Sequence, residues 1–344
     1  LFITYLVPVV LERKESESNY YQETTRQLEK QKELIEQKVI ERTEELQQSN
    51  EELQATNEVL RQAQEELQSQ TDFVAEQNKE LAQVNTQIAL SINSAKTIQE
   101  AILPQQDKFH YLFTEHFIIN RPKDVVSGDF YWLHETADKT ILVVADCTGH
   151  GVSGAFMTLI GTNLLDKIVK VQQLDDPAEI LTRLHTEVLK ALQQEKTQNN
   201  NGMDAVVITL QPYNQVVQLS FAGAKNNLLV WTNGALQEFK GTRKSIGGVQ
   251  PENVLFENQH ITLHQGDLVY LGSDGLADQN DERRKKFGRQ RIKALIEDTV
   301  RLPLSNQQQK FETALNEHME DTLQRDDILW MGIEAFHRTV SDNY

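Results

Sequence analysis

ILVVADCTGHGVSGAFM, residues 141–157, is the stretch on which the reading of this chain turns. Five apolar residues run into Asp146, and a glycine-punctuated turn leads on to an apolar stretch of helical character. A carboxylate at a strand end, with glycines that let the backbone approach closely, suits a hard divalent cation. Four more acidic patches lie far apart: SGD (127–129), MDA (203–205), SDG (273–275) after the run LVYL (268–271), and Asp326-Asp327 opening the run ILWMGI (328–333). Carboxylates delivered by separate strand ends can converge on one pocket, which suggests metal-assisted hydrolysis.

Composition narrows the field. The chain has 344 residues, enough for about two domains, and a formal charge of −17. That charge argues against a general nucleic-acid binder, because the phosphate backbone would be repelled. Cys147 is the single cysteine. It rules out an intramolecular disulfide framework and a cysteine-built zinc cage, and it fits a reducing cytosol. The sequence does not start with methionine, so a piece of a longer protein is expected. The opening LFITYLVPVVL (1–11) is apolar and is followed by Glu12-Arg13-Lys14. It is shorter than the about 20 residues that span a bilayer. Two readings stand side by side: the last turns of a membrane helix with the charged cluster on the cytoplasmic side, or an apolar strand of an upstream soluble domain.

From Tyr20 to Leu103 there is neither proline nor glycine. Every seventh residue in Val39, Leu46, Leu53, Leu60, Leu67, Val74, Leu81 and Ile88 is apolar, the signature of a coiled-coil seam. With these at d, the a positions are Thr43, Asn50, Asn57, Gln64, Thr71, Asn78, Asn85 and Ile92. Polar a residues lower stability but favour a parallel, in-register dimer; a single solvated helix is the plainer alternative. Leu28 and Ile35 are out of phase with Val39, as in a stutter. The seam turns more apolar through Ile88, Ile92, Ala95, Ile98 and Ile102, and Pro104 stops the helix. At 1.5 Å per residue, the rod from Val39 to Ile88 measures roughly 75 Å.

After Pro104 short β-rich runs appear at 117–119, 140–145, 205–210, 216–221, 227–231 and 268–271, punctuated by TNG (232–234) and QGD (265–267). Helices are expected near 154–171, 177–195, 289–300 and 306–324. Consecutive strands with helices grouped between them predict an α+β layered domain.

Taken together the motifs resemble a known family. IQEAILP (98–104), RPKDVVSGDFYW (121–132), DCTGHGVSGAFM (146–157), SDGLADQ (273–279), the segment around Phe287-Gly288 and RDDI (325–328) are similar, in order and spacing, to the SpoIIE/RsbU-type branch of the PPM serine/threonine phosphatases, relatives of protein phosphatase 2C. The resemblance covers about residues 94–336. It implies an α/β/β/α sandwich with two Mn²⁺ or Mg²⁺ ions at one edge. Asp129 and Asp146 match the first two metal aspartates, with Asp146 as the bridging ligand and Cys147 offering its backbone carbonyl. Asp274 and Asp326 match the two aspartates that complete the ligand set of the other ion, with Asp327 outside the direct ligands. Oxygen-rich sites of this kind suit Mg²⁺ or Mn²⁺ rather than zinc. Two ions about 3.5–4 Å apart can acidify a bridging water and neutralise the transferring phosphoryl group, without a protein nucleophile.

Other residues have duller roles open to them. Gly128 is a candidate for a supporting place around the ligands, and Asp204 is open between metal contact and a supporting role. Cys147 as a nucleophile would need a phosphate-cradling loop ending in arginine, and none follows. His150, between glycines, is read as positional. GHGVSG (149–154) lacks the Gly-Lys-Ser/Thr signature of a nucleotide loop. Ala224 occupies the place where eukaryotic-type relatives carry an aspartate for a third ion, which puts such an ion in doubt. Arg121 and Lys123 are candidates for the substrate phosphate by charge alone, as is Arg283-Arg284-Lys285-Lys286, whose plainer reading is a solvated flap.

The expectation is therefore four segments. These are residues 1–14 as the end of a membrane helix, 15–93 as a coiled-coil signalling stalk, 94–104 as a regulatory linker helix, and 105–340 as a PPM-type phosphatase domain. The resemblance implies a phosphoserine or phosphothreonine protein as substrate, by analogy a phosphorylated STAS-domain antagonist of an anti-sigma factor. Expected partners are a second copy in a parallel homodimer and an upstream sensor or membrane domain, with no nucleic acid. The expected location is the cytoplasm, with attachment to the inner membrane through a missing N-terminal segment. A catalytically silent dimeric scaffold and a small-phosphoester hydrolase are the competing classes.

Overall fold

The computed structural model describes residues 2–250 and 253–335, with side chains from Val7 onward. Leu1, the side chains of residues 2–6 and residues 336–340 of the expected phosphatase domain lie outside the described residues. The chain divides into two compact units, Leu1–Asn85 and Thr86–Tyr344. Helix α1 (Phe2–Ile102) runs through the first and ends in the second. Residues 2–11 are thus helical, which removes the strand reading of the apolar opening. No helix among the described residues is long and apolar enough to cross a membrane. Along the first unit the heptad residues stand in solvent, from 55% exposed at Val74 to 70% at Leu46. Side-chain pairs three or four apart, such as Arg61 with Glu58 and Glu65 at 2.8 Å each, line the rest of its surface.

The second unit is a four-layer α/β/β/α sandwich. One sheet has the order β1 (His116–Arg121), β11 (Ile328–Glu334), β10 (Leu268–Gly272), β6 (Leu228–Thr232) and β7 (Ala235–Phe239). The other has β2 (Phe130–Glu135), β3 (Thr140–Cys147), β4 (Gly202–Tyr213), β5 (Val216–Ala224) and β9 (Gln259–Leu263), with the short β8 (Ile246–Gly247) on β4. All pairings of these named strands are antiparallel. Helix α2 (Gln106–Leu112) precedes β1. α3 (Gly151–Leu165), continued by a π-helical turn at Asp166–Val171, and α4 (Pro177–Ala191) cover one sheet. α5 (Gly275–Asp278) follows β10 directly, and α6 (Arg289–Thr299) and α7 (Leu304–Met319) cover the other sheet.

Because side chains alternate across a strand, a continuous apolar run feeds two cores at once. In β3, Leu142 and Val144 enter the core between the sheets, where they join Val269, Leu271, Leu329 and Met331. Ile141, Val143 and Ala145 face the opposite way, onto Leu181, Leu184 and Val188 of α4. β11 does the same on the far side, with Trp330 packing among Phe311 and Ile296. Helix ends differ slightly from expectation: α4 stops at Ala191, shortly before Gln193 with φ 49°, and α7 stops at Met319, before Glu320 with φ 44°. Left-handed residues cannot continue an α-helix.

Leu329→Ala, inside the two-sheet core, should lower unfolding free energy by about 2–5 kcal/mol. Leu323→Ala, at a position 90% exposed, should stay within about 0.5 kcal/mol of the parent. Denaturant titration of both variants checks the layer assignment.

Candidate metal centre

The acidic motifs meet where strand ends of the two sheets face each other. Asp129 precedes β2, Asp146 is the penultimate residue of β3, Asp274 follows β10, and Asp326 and Asp327 precede β11. Glycines make the approach of these segments possible. A Cβ on Gly128 would stand 2.6 Å from the Gly149 carbonyl oxygen, and one on Gly154 would stand 2.7 Å from the Gly128 Cα. The start of α3 therefore lies directly on the SGD loop, with the Cys147 carbonyl oxygen also next to Gly128. Gly149 and Gly151 take φ values of 88° and 63° in the connecting turn.

The SGD loop is held from several sides. Gln99, near the end of α1, donates from Nε2 to the Ser127 carbonyl (2.6 Å) and accepts from the Ser127 N–H (3.0 Å). The Thr158 hydroxyl of α3 donates to the carbonyls of Ser127 and Gly128, 3.1 Å each. The buried Asp327 accepts from the Gly128 N–H and the Lys123 N–H, both at 2.7 Å. With both oxygens engaged by backbone, Asp327 is a brace.

Asp129 is 3% exposed, and its Oδ2 has no hydrogen-bond partner. Burial is the main reason its carboxyl is pushed up to about 8; a hydrogen bond from Ser273 opposes this, while the charges of Asp327, Asp326 and Asp274 add to it. Asp146 is pushed up to about 10 by burial first and then by Asp129, Asp274, Asp326 and Asp204. Asp274, raised by burial and by Asp278, shares a hydrogen bond with Asp146. Asp326 is exposed and accepts from the Asp327 N–H at 2.9 Å. Among the described residues no three such side chains already converge as an ion's ligand set. A buried carboxylate oxygen without a partner, inside a group of mutually repelling carboxylates, is nonetheless the chemistry a divalent cation satisfies. The donor set fits Mn²⁺ or Mg²⁺.

The remaining candidates occupy other positions. Asp204 pairs with Asp146 across β3 and β4. Its carboxylate accepts from Ser245 (2.6 Å) and lies 3.6 Å from the Lys225 ammonium. The Cys147 thiol is buried and pushed well up by that burial, which leaves it protonated and non-nucleophilic. His150 Nδ1 sits 2.6 Å from Asp124 Oδ2. Arg121 donates to Asn316 of α7 at 2.8 Å, and Lys123 contributes its backbone N–H to Asp327. In the basic run, Arg283 and Lys285 donate backbone N–H groups to Asp281, and Lys286 pairs with Asp278 at 2.7 Å. Thr158, Ser245 and Lys225 are contributors that residue patterns did not single out, and Gln99 enters only as part of the motif 98–104.

Residues 136–335, more than half of the chain, match the family of Stage II sporulation protein E (SpoIIE). The chain belongs to the SpoIIE family. The SiaA-PP2C domain of Pseudomonas aeruginosa is 34% identical, with 73% of this chain and 98% of that one covered at a TM-score of 0.66. The PP2C phosphatase domain of SpoIIE from Bacillus subtilis, solved with a fragment of its regulatory domain, is 16% identical over 65% of this chain and 64% of that one, at a TM-score of 0.50; it shares the fold. No curated protein matches the chain. Like its SpoIIE-family relatives the chain is a PP2C-type serine/threonine phosphatase, a class that uses divalent metal ions.

The raised carboxyls set a pH dependence. A carboxyl whose pKa rises on folding stabilises the fold fully below about pH 4, and that contribution is lost as pH climbs through the folded values, here about 8 and about 10. Metal-free protein should therefore lose thermal stability from mildly acidic toward alkaline pH. Asp146→Asn should raise the metal-free Tm at pH 8 by about 3 °C or more. Mn²⁺ should bind more tightly at pH 8 than at pH 6 and release protons on binding, measurable by calorimetry in buffers of different ionisation enthalpy.

Proposed function

We propose that this chain hydrolyses phosphoserine or phosphothreonine on a protein at the Asp129–Asp146–Asp274–Asp326 centre. The observation that carries the reading is the buried, unpartnered Oδ2 of Asp129 among carboxyls driven up by burial and by one another. Two Mn²⁺ or Mg²⁺ ions would be held by Asp129, Asp146, the Cys147 carbonyl, Asp274 and Asp326, with Asp204 and Asp327 in support. When bound, the ions supply the positive charge that acidifies water and offsets the charge of the transferring phosphoryl group. The protein's own part is to fix the carboxylates. Gln99, Thr158 and Asp327 hold the SGD loop, Asp204 is pinned by Ser245, and Asp274 already meets Asp146. By analogy with the family, a phosphorylated STAS-domain protein is the first substrate to test.

The regulatory half of the proposal concerns α1. The exposed heptad stripe from Val39 to Ile88 would pair with a second copy in a parallel coiled coil. The same helix ends with Gln99 gripping the backbone of Ser127, two residues before Asp129. A change in the helix's rotation would reach that grip. The segments 15–93, 94–104 and 105–340 are thus proposed as stalk, linker and enzyme.

Mn²⁺ should support dephosphorylation of a phosphorylated STAS protein and chelation should abolish it. Asp146→Asn and Asp274→Asn should each reduce turnover at least about 100-fold, while Cys147→Ser keeps it. A chain beginning near Ser94 should sediment as a smaller assembly than the whole. Inserting one residue near Asn85 turns the helix by about 100° and should alter turnover markedly. Inserting seven keeps the seam in phase and should alter it little; equal effects would reduce the stalk to a tether.

A further inference from the structure

A second feature lies on the other side of Ser273. Between α6 and the sheet of β10 and β11 there is a small cleft of about 60 Å³. Two of its lining residues carry buried N–H donors with no acceptor among the described residues: Asn226 Nδ2 and Trp330 Nε1. Asn226 is 8% exposed and Trp330 is 6% exposed. A buried donor without a partner is costly, so both ask for an acceptor. Two cations from the start of α6, Arg289 and Lys293, line the same cleft. Lys293 is already paired with Glu238 at 2.8 Å, and Glu238 also accepts from Asn227 at 2.7 Å. The hydrogen bond from Lys293 holds the Glu238 carboxyl below its usual range, so that pair cancels. Among the described residues Arg289 has no side-chain hydrogen bond or ion pair, and its charge reaches Glu238 only through space. The balance of the cleft is one uncompensated guanidinium and two orphaned neutral donors. An anion rich in acceptors is the chemistry these three groups would satisfy.

Position narrows the anion further. The Ser273 hydroxyl bonds to Asp129 and accepts from the Leu329 N–H at 3.0 Å, while Ser273 also forms part of the cleft wall. One residue therefore separates the cleft from the acidic centre. We propose that the cleft is a subsite for the carboxylate of an acidic residue flanking the phosphorylated residue of the substrate protein. This assignment rests on the phosphatase reading for its source of ligand. Trp330, Asn226 and Arg289 would then determine substrate specificity without taking part in the chemistry.

The indole N–H of Trp330 reports on the cleft directly. The chain has three tryptophans, so the whole protein, loaded with Mg²⁺ and labelled with ¹⁵N-tryptophan, gives three indole signals, and Trp330→Phe assigns the relevant one. Two unphosphorylated peptides are titrated, identical except that glutamates flanking the serine in one are glutamines in the other. Acetate and inorganic phosphate are titrated separately. The expected result is a shift of the Trp330 signal with the glutamate peptide only, at concentrations where acetate and phosphate leave it in place. Arg289→Gln should weaken that peptide about tenfold, the equivalent of one charge-assisted contact. Absence of a shift, equal response to both peptides, an unchanged affinity in Arg289→Gln, or an equal response to acetate or phosphate would each overturn the subsite. Hydrolysis of the phosphorylated glutamate peptide, followed in parallel, tests the catalytic reading, while the indole signal alone decides the cleft.

Discussion

Asp327 ties the two sheets together at the edge where the acidic motifs meet. Its carboxylate leads into a strand of one sheet, yet both oxygens accept backbone N–H groups from the segment leading into the other. Hydrogen bonds to a charged acceptor contribute about 1.5–3 kcal/mol each, and removing the acceptor would leave two N–H groups short of a partner. Asp129 inherits its position from this brace, since Gly128 is the residue held. The neighbouring Asp326, one step along the chain, is exposed; like Asp327 it adds its charge to the carboxylate group, but its oxygens do not tie the two segments together. Two adjacent aspartates thus serve opposite purposes, one joining backbone to backbone, the other left available to a cation.

The close packing of Gly128, Gly149 and Gly154 reinforces this arrangement. Without side chains at these points, α3 begins in contact with the loop that carries Asp129. Position here depends on backbone contact, which rotamer changes cannot loosen. The same segment receives Gln99 from α1, so a loop of three residues is touched by two helices and a strand entry at once.

Much of this was legible in the residues, and the exceptions have physical causes. The long helix α1 declares itself by a seven-residue period, and β3, β4 and β10 by continuous apolar runs that serve cores on both faces. β7 and β9 were missed because ALQEF (235–239) and QHITL (259–263) are short and partly polar, as strands near sheet edges usually are. β2 was missed because FYWLHE (130–135) is absorbed into a motif that reads as loop chemistry. The aspartates of the centre stand out as strand-end motifs, whereas Ser245 comes from an irregular stretch with no pattern around it. Lys225 could have been found from register: β4 and β5 pair Ala205 with Ala224, and one step beyond sets Lys225 opposite Asp204. Orphaned donors such as Trp330 Nε1 depend on what fails to pack nearby, which no local pattern records.

Lys225 brings a consequence of its own. It takes φ 57°, an uncommon conformation for a residue with a long side chain, and its ammonium stands 3.6 Å from Asp204 in a place half open to solvent. Salt will screen much of that attraction. Yet this positive charge is covalently part of the chain: it is made at one copy per protein, follows no metal supply, and survives a chelator. One carboxylate of the acidic edge therefore keeps a counter-ion that cannot diffuse away, whatever the ionic fortunes of the others.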